Sequence, residues 1–215
     1  MSHRDYSGLF VAEGTSDLPL ADIVQSIFLD HGFSVYLSRP DFSMLPKVAK
    51  DVGSRIRAGS ELVGEQVDVV VVHRDADNAG AAARRTEVEG ALRSNNLASA
   101  LVPVIPVRMT EAWLLLDESA IRRVAGNPRG KTDLGLPKAH QVESIADPKE
   151  LLDQCLLTAA NVTGRRRDSL RKRFPQNRRQ LLERLDRNGP ITQLASWKLL
   201  LSDIESVTAR WTSND

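Results

Sequence analysis

The chain has 215 residues, 41% hydrophobic and 27% charged, and its 29 Lys and Arg nearly balance 28 Asp and Glu for a net charge of +1. That length is enough for one good core and a small appendage, and the near-neutral total by itself implies no nucleic-acid partner. The single cysteine, Cys155, excludes an intrachain disulfide and suits a reducing compartment. It sits among Leu151, Leu152, Leu156 and Leu157, as a buried thiol would. No apolar run reaches membrane-spanning length. The stretch from Met1 to Tyr6 has no apolar signal region, so a cytoplasmic protein is expected.

In chain order, Gly8 to Ala12 is a short apolar run that reads as a first strand and stops at Glu13-Gly14-Thr15-Ser16-Asp17. Thr15, Ser16 or Asp17 can cap the helix that follows, with Pro19 in its first turn and an end near Gly32. Phe33 to Leu37 alternates as a second strand, broken by Arg39-Pro40-Asp41. The pattern predicts a polar helix from about Pro46 to Arg57, carrying Lys47, Lys50, Arg55 and Arg57. Val67 to His73 is a β-branched run and reads as a strand buried on both faces, as in a parallel sheet. A helix from about Ala79 to Ser94 follows, then a fourth apolar run from Ala98 to Val107. Pro103 and Pro106 make that run an edge or irregular strand. Thr110 to Asp117 looks like a capped helix with Glu111 in its first turn.

Strand and helix alternate to about residue 120, which predicts right-handed βαβ units around a parallel sheet of about four strands with flanking helices. Residues 126–149 are rich in Gly, Pro, Lys and Asp and read as a long surface loop, ending at the helix start Asp147-Pro148. Helices are predicted at about 148–160, 177–187 and 191–211. The domain expectation is an α/β unit over 6–120 and a loop and helical C-terminal extension over 121–215. Between Arg165 and Arg187 ten basic residues face three acids, a net +7 that leaves −6 for the rest of the chain. The segment is either a solvated helix face or a surface that attracts phosphate.

The chemistry concentrates at strand ends. Asp75 and Asp77 follow the third strand. Two carboxylates at i and i+2 on an extended chain point the same way, roughly 7 Å apart at Cα. They lie where open α/β sheets place ligands, and both would suit a hard, oxygen-seeking cation. Glu13 ends the first strand. A Glu-Gly turn after the first strand (Glu13-Gly14) and an Asp-x-Asp after the third (Asp75-Ala-Asp77-Asn-Ala79-Gly80) resemble the Toprim domain of topoisomerases, bacterial-type primases and OLD-family nucleases. The resemblance covers about residues 6–110. Pro103 to Asp117, followed by Asp147-Pro148-Lys149, is similar to small bacterial Toprim-related proteins, several of which accompany OLD-like or ABC-type ATPases in phage defence.

The resemblance implies a Toprim-like, Rossmann-like fold and an Mg²⁺- or Mn²⁺-dependent nuclease. Glu13, Asp75 and Asp77 would be its catalytic and metal-binding residues, with Glu13 a ligand or the general base. Glu111 is either a further metal ligand or an acid placed for the helix dipole. Gly14 would let the backbone approach phosphate. His73 is either a phosphate contact or a core histidine. Arg165, Arg166, Arg167, Arg171, Lys172 and Arg173 are the candidate nucleic-acid contacts, to DNA before RNA. No Gly-x₄-Gly-Lys-Ser/Thr is present, so any ATPase partner would be a separate chain. The alternative is a non-catalytic Toprim-like module that binds nucleic acid or protein.

Overall fold

Four valines set the middle of the sheet. The strand β3 (Val69–His73) is buried at all five positions in the computed structural model, which describes residues 5–42, 45, 48–64 and 66–214. Such a strand must be covered on both faces and hydrogen-bonded on both edges. It pairs in parallel with β1 (Asp5–Val11) on one side and β4 (Ala100–Val104) on the other, while β2 (Ser34–Ser38) pairs with β1. The result is an α/β fold with one four-stranded parallel sheet in the order β2-β1-β3-β4, flanked by helices. Pro103 falls inside β4 opposite Val72. An edge strand tolerates it because one side of β4 has no ladder to complete.

By contacts the chain divides into two compact units, one of Met1–Arg74, Ala81–Ile105 and Lys198–Asp215, the other of Asp75–Gly80 and Pro106–Trp197. These boundaries interleave along the chain.

The first unit holds the whole sheet with α1 (Pro19–Asp30), α2 (Val52–Val63), α3 (Ala81–Ser94) and most of α10 (Ala195–Asn214). Alternation along the strands sends Leu9, Val11, Val70 and Val72 to one core, shared with Val52 and Ile56 of α2 and Val88 and Leu92 of α3. Gly59 lets α2 lie close, since a Cβ there would stand 2.9 Å from Leu9. Tyr6, of opposite parity, stacks on Trp211 of α10 with ring centroids 4.0 Å apart, and Phe28 and Phe33 complete the aromatic cluster. Arg85 of α3 pairs with Asp203 of α10, with Nη1 2.9 Å from Oδ2. Burial raises the Asp203 carboxyl above the usual range, and Arg85 opposes that shift.

Two predicted features of this unit are corrected. The helix expected over Pro46–Arg57 begins at Val52 and runs to Val63. Asp51 caps it by accepting from the Ser54 amide at 2.8 Å, and Gly64 ends it in the left-handed region. Lys50 therefore precedes the helix, and Pro46 and Lys47 lie outside the described residues. The N-cap position of α1 is Leu18 and not Thr15, Ser16 or Asp17. Those residues form a 3-10 turn that buries Asp17, and Pro19 opens the helix.

The second unit is helical: α4 (Glu111–Leu114), α5 (Glu118–Val124), α6 (Ala139–Val142), α7 (Pro148–Ala160), α8 (Gly164–Lys172) and α9 (Phe174–Glu183). Trp113, Ile121, Leu152, Leu156, Leu181 and Leu182 are buried, and Trp113 packs edge-on against Trp197 at 5.2 Å. Asp147 caps α7 at Glu150, as its sequence predicts. The predicted helix over Thr110–Asp117 is the shorter α4, and Asp117 instead caps α5, accepting from the Ala120 amide 2.8 Å away. The helix expected at 177–187 is α9 and starts earlier, and α8 before it was not foreseen.

The segment read as a long loop is tethered. Leu134 and Val142 are buried, and the Cys155 thiol lies 3.4 Å from the Leu134 carbonyl. Glu143 accepts from the Ala195 and Ser196 amides at 3.1 and 3.0 Å, capping the start of α10 from a distance. Among the described residues no helix is long and apolar enough to cross a membrane.

Candidate functional site

The strand order decides where ligand chemistry belongs. Between β1 and β3 the chain reverses its direction of travel through the sheet, and in open α/β sheets the crevice beyond the carboxyl ends at such a switch point takes the ligand. Glu13 leaves β1 at this point. Its carboxylate is 43% exposed and is held by the Arg74 guanidinium, which also lies 3.4 Å from Glu87. The pairing follows from register. Val11 stands opposite Val72, so Glu13 and Arg74, each two residues further, share a face. By alternation Arg74 points away from Asp75, and the register shows that it points toward Glu13.

His73 is 1% exposed, with Nδ1 3.9 Å from a carboxylate oxygen of Asp17, itself 6% exposed. That burial fits the core histidine and removes His73 from the surface a phosphate would meet. Gly14 has extended backbone, and a Cβ there would meet Ser16 Oγ at an ordinary 3.8 Å. The fold does not require glycine at this position, and its bare backbone leaves the turn open to a ligand.

In the second unit the acidic turn is clamped by the segment Pro106–Thr110. The amides of Ala76 and Asp77 donate to the carbonyls of Pro106 and Arg108, at 3.1 and 2.8 Å. Asp75 Oδ1 accepts from the Thr110 amide at 2.9 Å and from the Thr110 hydroxyl at 3.1 Å. Thr110, read from sequence as the cap of α4, makes no side-chain cap to that helix and turns to Asp75. Asp77 and Arg108 both have positive φ, 46° and 65°, a conformation that costs non-glycine residues energy and persists where surrounding bonds impose it. Arg108 Nη1 reaches Asn78 Oδ1 at 2.9 Å. Thr110 and Arg108 are thus the positioning residues that sequence reasoning missed. The signal lay in Val107-Arg108-Met109-Thr110, but nothing local says that this stretch would fold onto the acidic turn.

Glu111 is 4% exposed and receives Arg178 Nε at 2.7 Å, with Arg178 6% exposed. This pair joins α4 to α9 and gives Glu111 a structural partner. Most of the rest of the basic segment is exposed. Arg165, Arg166, Arg167, Lys172 and Arg173 are exposed, and Arg171 is exposed while bonding Asp153 at 3.0 Å.

Carboxylate oxygens are the donors Mg²⁺ prefers, and the exposure of Glu13 leaves it reachable. Among the described residues, however, no group of three or more His, Cys, Asp or Glu side chains is arranged to hold a metal ion. Glu13 would have to leave Arg74 to serve as a ligand. Comparison of the chain with models of protein families, with curated proteins and with solved structures found no match.

Proposed function

We propose that this chain is an Mg²⁺- or Mn²⁺-dependent nuclease of Toprim type. The observation that carries the reading is the order β2-β1-β3-β4, which makes β1 and β3 neighbours at the switch point, one leading into Glu13 and the other into Asp75-Ala-Asp77. Glu13, Asp75 and Asp77 would hold the cation, which when bound polarises the phosphoryl oxygen and lowers the pKa of the attacking water. Thr110 fixes the rotamer of Asp75, and Arg108 holds the backbone of Asp77. Arg74 pairs with Glu13, and a Glu13 that turned to a bound cation would leave the Arg74 guanidinium available to a phosphate. The exposed arginines of α8 draw in the nucleic-acid backbone.

The test is cleavage of plasmid DNA and of RNA with Mg²⁺ or Mn²⁺ by wild type and by Asp75→Ala. Cleavage that disappears in the variant supports the assignment, and equal cleavage sinks it. A second reading, a binding module that keeps the fold without the chemistry, is favoured by one observation: Glu13 and Glu111 both engage arginines. Calorimetry separates the two, since the module binds no Mg²⁺ or Mn²⁺ at millimolar concentration.

A further inference from the structure

A cavity of about 360 Å³ opens within the sheet-bearing unit beside the exit of β1. Its lining has three kinds of group. Phe10, Leu18, Phe42 and Val48 supply apolar surface, Arg39, Lys50 and Arg55 supply positive charge, and Glu13 with Gly14 form part of the wall. Lys50 is exposed. The Arg55 guanidinium lies 5.9 Å from the Phe42 ring centroid and also donates to the Ala12 carbonyl, so it is fixed by the fold. Arg39 is likewise anchored, by Asp22 at 3.0 Å.

Volume and chemistry together select a ligand class. Small-molecule sites span roughly 300–1,000 Å³, and a cavity of about 360 Å³ lies at the small end of that range, on the scale of a single nucleotide. It is far too small for a duplex, whose groove would have to admit protein and not the reverse. An aromatic ring on an apolar floor suits the face of a base. Among the described lining residues cations outnumber acids, Arg39, Lys50 and Arg55 against Glu13 and Asp41, which suits a phosphate-bearing partner. A purely apolar ligand would make no use of the exposed Lys50, and a free anion would leave the aromatic floor unused.

We propose that this cavity receives one unstacked nucleotide of a single strand, its base against Phe42 and its phosphate toward Lys50. The inference rests on the nuclease reading for its biological meaning, because Glu13 is shared between the cavity wall and the proposed catalytic set. It adds the substrate class: single strands, or duplexes with an unpaired nucleotide, since extracting a paired base costs a few kcal/mol.

The experiment is fluorescence anisotropy in EDTA with the full chain, so that binding is read without chemistry. The probes are a labelled short oligothymidylate and a blunt hairpin duplex with the same number of phosphates. Wild type binds the single strand about tenfold more tightly than the duplex. Phe42→Ala lowers single-strand affinity about tenfold and leaves duplex affinity unchanged, as loss of one base stack predicts. Phe42→Tyr retains wild-type binding and guards against an unfolded variant. Lys50→Ala weakens single-strand binding with a shallower salt dependence. Equal affinity for strand and duplex overturns the proposal, as does unaltered single-strand binding by Phe42→Ala. Asp75→Ala separates the two readings. Single-strand preference in a chain that cleaves nothing upholds the cavity and removes the nuclease, whereas Asp75-dependent cleavage with no effect of Phe42→Ala upholds the nuclease and removes the cavity.

Discussion

Arg178→Ala tests the most buried ion pair in the helical unit. Arg178 and Glu111 are 6% and 4% exposed and 2.7 Å apart, so truncating the arginine leaves a carboxylate with neither its cation nor water. Breaking such a pair from one side costs about 3–5 kcal/mol, a large share of the roughly 5–15 kcal/mol that holds a domain folded. For a chain of this size each kcal/mol moves Tm by about 2–4 °C. The expected loss is therefore about 6–20 °C, with a matching fall in urea midpoint measured by circular dichroism. Arg178→Met combined with Glu111→Leu removes both charges and regains most of the loss, because two apolar side chains of similar volume need no desolvation. A single-variant cost below about 1 kcal/mol would refute the argument. It would show that Glu111 is not held by this pair, and so restore it as a candidate metal ligand.

Two further outcomes follow from the same structure. Burial pushes the Cys155 thiol from 9.0 up to about 11, so the folded chain keeps its proton where the unfolded chain has lost it. The stability this contributes is complete below pH 9 and is lost as pH rises toward 11, on the order of 2–3 kcal/mol. Cys155→Ala shows a shallower alkaline decline in urea titrations, and an identical decline in both proteins contradicts the shift. Arg74→Ala removes the cation that occupies Glu13. Calorimetry is expected to show tighter Mg²⁺ binding, by several-fold, than wild type. Weaker or unchanged binding would mean that Glu13 is not part of a metal site.

Much of the first unit was legible because its signals are local. The run Val69–Val72 could only be a strand covered on both faces, and Pro103 marked β4 as an edge strand. Pro19 and Asp147 announced helix starts through chain chemistry confined to one turn. The start of α2 was misplaced because one apolar-poor stretch offers several possible caps, and only packing of Ile56 against the sheet selects Asp51. The helix α8 was missed because its nine residues expose nearly every side chain and bury only Leu170, which leaves no apolar period to read.

The sequence by itself determined the parallel α/β sheet, the acids at its strand ends and the segregation of positive charge into residues 165–187, since each depends on residue type and short spacing. Tertiary structure alone decided what those acids touch. It gave Glu13 to Arg74 through strand register, Asp75 to Thr110 across 35 positions, and Glu111 to Arg178 across 67. It also assembled the Phe42-lined cavity from the β1–α1 and β2–α2 connections together with β1 and α2. The physical reason is range. Caps, periods and turns are fixed by bonds within a few residues, whereas a carboxylate takes its partner from whatever the packed chain brings within about 3 Å.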